Sequence, residues 1–323
     1  MTEKTPVRPA HHRAGGRFRN PPGSPRSTAG LREFLRFLFV DMRGASPPPI
    51  PEGHVAPTPP DLAGFAENEL AWLGHACFAV RMGGKLILTD PYLTRTAGPL
   101  GLGPKRFVPS PIAAQDLPRL DLIVISHNHY DHIDARALKA YRWRGETLVV
   151  CPLGTGKLLR RIGFDTVVEM DWWQRQDFGD LAITFLPAVH FSGRGPFDRN
   201  RSLWGSFAFA SSTRKLWFGG DTAAGEIFRE IGSREGPFDV ALGGIGAYEP
   251  RSIMQASHAS PEEGISIARD LGASKAVGMH WGTVMLTPED PFEAPVRFRR
   301  AALEQQFGES NAVTLPIGGT MRF

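Results

Sequence analysis

Cysteine is scarce. The 323 residues hold two, Cys77 and Cys151, with no C-x-x-C spacing. That argues against a disulfide-built scaffold and suits a reducing compartment. No run of 18 apolar residues occurs, so no segment reads as a membrane span. A secretory leader is not evident either. The first apolar run starts after thirty residues and is interrupted by Arg32, Glu33 and Arg36. The expected location is cytoplasmic, with any membrane contact peripheral. There is no internal repeat, and Gly154-Thr155-Gly156-Lys157 lacks the longer glycine spacing of a phosphate-binding loop.

What is present is the composition of an ordinary soluble globular protein, 22% charged and 41% hydrophobic. The length allows one large domain or two smaller ones. The net charge of +4 is unevenly placed. Residues 1–60 carry nine Lys/Arg against four Asp/Glu, or +5, and the remainder carries 28 against 29, or −1. The basic character therefore belongs to the amino-terminal segment; nucleic acid or an anionic membrane surface could bind such a tail, but a disordered tail without a partner fits as well, and no nucleic-acid partner is expected.

Residues 1–30, rich in Arg, Pro, Gly and Ser, are expected to be disordered. In Leu31–Val40, Leu31, Phe34, Leu35 and Leu38 follow helical spacing, with Arg32 and Arg36 four apart. Two readings stay open: a short helix packed on the body or a partner, or an interfacial anchor whose Phe and Leu enter lipid while the arginines meet phosphates. Residues 44–60 read as a Pro-rich linker. The folded body is assigned to 61–323. Strands are predicted over 69–74, 77–82, 85–90, 120–125, 147–151, 181–186, 207–211, 215–218, 238–242 and 275–279. Gly83-Gly84 supplies a hairpin turn. Helices are predicted over 134–144, 155–162, 260–271 and 296–307, the third opened by Ser260-Pro261-Glu262-Glu263. Hairpins first and strand–helix alternation later imply an α/β (α+β) fold with sheets packed face to face and helices outside.

The chemistry concentrates in Ser126-His127-Asn128-His129-Tyr130-Asp131-His132, which holds three of the ten histidines. It follows the apolar run Leu120–Ile125, so it occupies a loop at a strand's carboxyl end, where open α/β sheets place ligands. Imidazole and carboxylate bind Zn²⁺ and other divalent first-row ions. His127 and His129 can face one side of an extended loop, and Asp131 and His132 a second position, so one loop could serve two ions. A solvated polar loop is the alternative. His190, Asp221 and His280 also end apolar runs. Strand ends can converge on one edge, and five histidines with two aspartates suffice for two ions.

The H-x-H-x-D-H loop with later His, Asp and His resembles the metallo-β-lactamase fold superfamily of binuclear hydrolases. Further words narrow the resemblance: Trp72-Leu73-Gly74-His75-Ala76, Leu88-Thr89-Asp90-Pro91, Gly103-Pro104-Lys105-Arg106-Phe107, Gly219-Gly220-Asp221-Thr222, Gly246-Ala247-Tyr248-Glu249-Pro250-Arg251 and His280-Trp281-Gly282-Thr283. Over residues 60–323 these are similar to the N-acylphosphatidylethanolamine-hydrolysing phospholipase D family. The resemblance implies a four-layer αββα sandwich. It places one zinc on His127, His129 and His190 and a second on Asp131, His132 and His280, with Asp221 bridging. Fe or Mn also suits these N/O ligands. It implies His258, Tyr248, Arg251, Lys105 and Arg106 as substrate contacts, and His75 as a residue orienting a ligand. A homodimer follows by analogy only.

The implied reaction is hydrolysis of an N-acylated phospholipid or another small phosphodiester. Two Zn²⁺ ions sharing a water lower its pKa toward ~7, hydroxide attacks phosphorus, and N-acylethanolamine leaves phosphatidic acid behind. Asp131 and Asp221 orient the nucleophile. One alternative is a hydrolase of the same fold acting on a lactone or small ester. Another is a membrane- or partner-binding protein recruited through 31–40 with a residual metal site.

Overall fold

The computed structural model describes residues 9–42, 46–101, 103 and 105–323. Its framework is two seven-stranded mixed sheets. The first runs Thr320–Arg322, Glu69–Trp72, Phe78–Met82, Lys85–Thr89, Leu122–Val124, Leu148–Pro152, Val167–Met170. The second runs Ala312–Val313, Lys275–Met279, Val240–Gly244, Lys215–Phe218, Ser206–Ala210, Leu181–Leu186, Arg175–Phe178.

Period-two patterning explains the layers, because successive strand side chains point to opposite faces. Leu70 and Trp72 join Phe78, Phe185, Phe207, Phe209 and Trp217 in the main core. Ala71 and Leu73 turn the other way, joining Leu86, Leu88 and Ile123 under the helices Ala135–Ala140 and Gly156–Ile162. Outside the second sheet, the helices Ile227–Glu235, Pro261–Asp270 and Ala294–Glu304 supply Phe228, Ile265 and Phe298. Burying each such large apolar side chain contributes about 1.5–3 kcal/mol. The result is the expected helix–sheet–sheet–helix sandwich.

Strand direction positions the site. Lys85–Thr89 and Leu122–Val124 are parallel and deliver Asp90 and Ser126 to one edge. Lys215–Phe218, Val240–Gly244 and Lys275–Met279 are parallel in the other sheet and deliver Asp221 and His280. Backbone bonds tie the edges together: Gly205 N donates to Ser126 O at 3.0 Å, and His280 N to His75 O at 3.0 Å. Gly220 has φ +55°, and a Cβ there would lie 2.4 Å from Ser126 Cβ, so only glycine allows this approach.

Several expectations change. The helix predicted over 134–144 spans Ala135–Ala140, with Asp134 as N-cap accepting from the Arg136 and Ala137 N–H groups. Tyr141 is extended, its hydroxyl holding Leu120 N and Thr147 Oγ1, and this ends the helix. The capping box at Ser260 forms as expected. The disorder expected for residues 1–30 is not what residues 9–30 show; residues 1–8 lie outside the described residues. A small hairpin, His12–Arg13 with Arg17–Phe18, rests on the body, and Phe18 N donates to Asn200 O. The Pro-rich stretch, of which residues 44 and 45 lie outside the described residues, is mostly exposed and is pinned to the body at His54 and Val55. His54 is buried, bonded to Gly282 O at 2.7 Å, and Val55 bridges Ile317. Leu31–Arg36 is α-helical and continues as a π-turn, Phe37–Asp41.

Candidate metal centre

Seven of the ten histidines meet at the sheet edge: His75, His127, His129, His132, His190, His258 and His280. Two groupings of side chains could each hold an ion. One is His127, His129, His190 and Asp221; the other is His75, Asp131, His132 and His280. All seven ligands read from the sequence are among them.

Neighbouring groups fix the ring tautomers. Ser126 Oγ donates to Asp90 Oδ2 at 2.5 Å, so the His127 Nδ1–H must donate to Ser126 Oγ, 2.9 Å away. His132 Nδ1 donates to Asp90 Oδ2 at 2.7 Å, and His190 Nδ1 to Ser257 O at 2.9 Å. The Nε2 atoms of all three rings therefore face the centre, those of His127 and His190 as lone pairs. His127 Nε2 lies 2.8 Å and His190 Nε2 3.3 Å from His129 Nδ1. A hydrogen on His129 Nδ1 could serve only one of these two acceptors, whereas a cation among the three nitrogens would satisfy them all. Asp221 joins the halves: Oδ2 is 3.2 Å from His132 Nε2 and 3.7 Å from His190 Nε2, and Oδ1 is 3.1 Å from His280 Nε2. Four atoms here are buried without a hydrogen-bond partner: His132 Nε2, Asp221 Oδ1, and Nδ1 and Nε2 of His280. Such orphaned atoms are costly unless a ligand satisfies them, and divalent cations fit this donor set.

The electrostatics agree. Burial lowers His127 and His190 well below the usual imidazole range and His129 to about 4, so these rings are neutral, the form that ligates. Burial alone would raise Asp221, but His132 and His280 hold it well below the usual carboxylate range. Burial would likewise lower His132, yet Asp221, Asp90 and Asp131 more than reverse it, which marks the most negative point of the cluster.

His75, expected to orient a ligand, donates from Nε2 to Asp131 Oδ2 at 3.0 Å. Its ring also lies against that of His280, centroids 3.9 Å apart and planes tilted by 36°. His258 lies 5.2 Å, ring to ring, from both His190 and His280, and burial lowers it to about 4. The other expected substrate contacts are placed differently. Arg106 is buried and its guanidinium donates to Val108 O at 3.0 Å, Leu73 O at 2.9 Å and Tyr92 O. A guanidinium spent on three carbonyls is not offered to a phosphate. Lys105 is exposed, its backbone bridged to Thr96. Tyr248 is buried and its hydroxyl donates to Glu293 at 2.9 Å. Arg251 donates to Glu263 at 2.7 Å and to His258 O at 3.0 Å, so it holds the His258 loop.

Two further residues carry the site. Asp90 grips His132, Ser126 Oγ and, at 2.7 Å, Ser126 N. Asn20 Oδ1 accepts from His190 N at 3.0 Å and Trp204 Nε1 at 2.9 Å. Asp90 had the same signal as the ligands, an acidic residue closing an apolar run. Asn20 had none. Asp90, His75 and His280 have φ of 31°, 55° and 67°, rare for non-glycine residues and typical of strained functional positions.

Comparison with known proteins agrees with this geometry. A family model described as a beta-lactamase superfamily domain matches residues 85–281. An uncharacterized protein of Mycobacterium tuberculosis is 35% identical over 296 residues, 89% of this chain and 78% of that protein. The N-acyl-phosphatidylethanolamine-hydrolyzing phospholipase D 1 of Caenorhabditis elegans is 38% identical over 224 residues, 66% of this chain and 63% of the relative. The mitochondrial enzyme of that name from Saccharomyces cerevisiae is 34% identical over 225 residues, 68% of this chain and 48% of the relative. The chain thus spans about half to two thirds of those two enzymes. Among solved structures, a possible metal-dependent hydrolase from Veillonella parvula superposes with TM-score 0.63 at 17% identity, covering 80% of this chain and 100% of that one. These structural matches speak for the fold.

Proposed function

The chain belongs to the metallo-β-lactamase-fold superfamily of metal-dependent hydrolases, and from that premise we propose that it is a binuclear zinc phosphodiesterase. Its proposed substrate is N-acylphosphatidylethanolamine or a similar phospholipid, cleaved to N-acylethanolamine and phosphatidic acid. The observation that carries the two-ion assignment is Asp221, whose carboxylate reaches both halves of the cluster: Oδ2 lies 3.7 Å from His190 Nε2 and 3.9 Å from His127 Nε2, and Oδ1 lies 3.1 Å from His280 Nε2. His127, His129 and His190 would hold one ion, and Asp131, His132 and His280 the other. The substrate class rests on the identity to the two phospholipase D enzymes.

When bound, two zinc ions supply Lewis acidity toward a phosphoryl oxygen and acidify water near neutral pH. The chain's residues do the rest. Asp131 and Asp221 stay ionised and can accept the proton of an attacking water. His75 fixes the Asp131 carboxylate, and Asp90 fixes the His132 ring. His258, neutral at pH 7, carries one ring N–H for a substrate oxygen. The water oxygen bonds to phosphorus, the bond to the ethanolamide oxygen breaks, and a proton returns to that oxygen.

A lipid substrate needs a route from the membrane. No helix among the described residues is long and apolar enough to cross one. The segment Leu31–Asp41 exposes Leu31 (74%), Phe39 (57%) and Val40 (61%). It is fastened beside Arg251–Met254, since Glu33 accepts from Ser252 Oγ and Thr28 N donates to Ser252 O. That helix leads directly to Ser257 and His258, so an apolar surface adjoins the centre. This supports peripheral membrane contact through 31–40.

The test is hydrolysis of N-acylphosphatidylethanolamine vesicles by the purified full chain. Release of N-acylethanolamine, abolished in Asp221→Asn and unchanged in the surface control Arg300→Gln, is expected. Full metal content without turnover of any phosphodiester would refute the reading.

A further inference from the structure

Outside the central cluster, among the described residues, one group of side chains has the composition and convergence of a cation site: His11, His12 and Asp171. His11 Nε2 donates to Asp171 Oδ1 at 2.6 Å and His12 Nε2 to Asp171 Oδ2 at 2.7 Å. All three side chains are held from outside the group. The His11 ring stacks on Trp172 with centroids 4.2 Å apart and planes at 27°, and the His12 ring stands edge-on to Phe18 at 5.0 Å. Trp172 N donates to Asp171 Oδ1 at 2.8 Å, and Gln174 Oε1 accepts from Asp171 N at 2.8 Å. The side chains are 12%, 21% and 14% exposed, so an ion can reach them while the rings stay fixed.

We propose that His11, His12 and Asp171 form a third divalent-cation site, separate from the central pair, which clasps the amino-terminal arm to the body. Two imidazole nitrogens and one carboxylate suit Zn²⁺ and the later first-row ions. Bonds of ~2.0–2.2 Å set ligand atoms roughly 3.3 Å apart in a tetrahedron. For an ion to take both Nε2 lone pairs, each imidazole carries its hydrogen on Nδ1 and the carboxylate withdraws by less than about 1 Å, a shift a partly exposed residue can make.

The site's position gives it a purpose. Arg19 N donates to His11 O at 3.0 Å, and the next residue is Asn20, which accepts from the backbone N–H of His190. An ion at Asp171 would fix the arm, and through Asn20 the segment bearing a central ligand. It is a positioning device and does not touch substrate.

The experiment strips the full chain with a chelator, reloads it with Zn²⁺, and counts zinc per chain by elemental analysis. It is run on the wild type, His11→Ala/His12→Ala, and Asp171→Asn, which keeps the shape and one acceptor if the double variant folds poorly. Trypsin cleavage after Arg13, Arg17 and Arg19 reports the arm on the same samples. The wild type is expected to hold one zinc more than either variant, and zinc should slow cleavage of the wild-type arm alone by tenfold or more. Equal zinc in all three proteins, or an arm equally protected without zinc, would overturn the proposal and leave a hydrogen-bonded clasp. The readout is a difference of one ion between variants, so it stands apart from whether the central cluster turns over a phosphodiester.

Discussion

Replacing Arg106 by leucine separates a structural from a substrate-binding role for this residue. Its guanidinium satisfies the carbonyls of Leu73, Tyr92 and Val108, joining the Leu73–His75 turn to two points along the long loop that precedes the His127–His132 segment. Leucine orphans all three. A buried unsatisfied acceptor costs about 1–3 kcal/mol. Part of that is offset, because burial works against the charge and lowers Arg106 to about 10. A net loss of about 4 kcal/mol follows from the three carbonyls. At ~2.1 cal/mol/K per residue, 323 residues have an unfolding entropy of about 0.7 kcal/mol/K, so Tm falls by roughly 6 °C. Calorimetry measures the shift, and KM for a phosphodiester is measured well below the variant's Tm. Gly74→Ala should act in the same direction, since a Cβ there would stand 2.4 Å from Arg106 Nη2. An unchanged Tm together with a tenfold higher KM would refute the reasoning and return Arg106 to the substrate.

Asp90→Asn removes the carboxylate shared by His132 and Ser126, and zinc affinity should fall 10–100-fold in a competitive chelator titration. Gly246→Ala would put a Cβ 2.1 Å from His280 O, so the His280 loop must shift; zinc content and thermal stability should fall together. Glu262 makes two bonds to Arg297, at 2.8 and 2.9 Å. Burial opposes its ionisation, but Arg297 wins and its carboxyl sits below the usual 4.5. A depressed carboxyl stabilises the fold above its unfolded value and loses that contribution as pH falls through the folded one. Glu262→Gln should therefore cost up to about 1 kcal/mol at pH 7 for a pair this exposed, and the gap between urea midpoints should close below 4.5.

That the histidines and aspartates of the candidate centre converge was legible because of how they are placed. Each follows an apolar run, and parallel strands in two facing sheets carry such positions to a common edge. Lys275–Met279, followed by His280, came through with its predicted bounds. The strand Arg175–Phe178 is polar and exposed at a sheet edge, so no alternating pattern announces it. The helix Ile227–Glu235 contains Gly232, which weakens the helical signal. The glycine is required there, because a Cβ would lie 2.1 Å from Asp270 O. The arm failed to register for a related reason. His11, His12 and Asn20 hold it by single polar contacts spaced without period in a Pro- and Gly-rich stretch, which composition reads as disorder. Arg106 looked like a phosphate ligand because charge is visible in a sequence, while the carbonyls that consume it are not.

Zinc content and N-acylphosphatidylethanolamine hydrolysis, measured on one preparation of wild type and Asp221→Asn, test the central claim most directly. The wild type is expected to hold zinc at both halves of the central cluster and to release N-acylethanolamine, and Asp221→Asn to lose both. A wild-type protein that binds no zinc and remains inactive after zinc is added would contradict it.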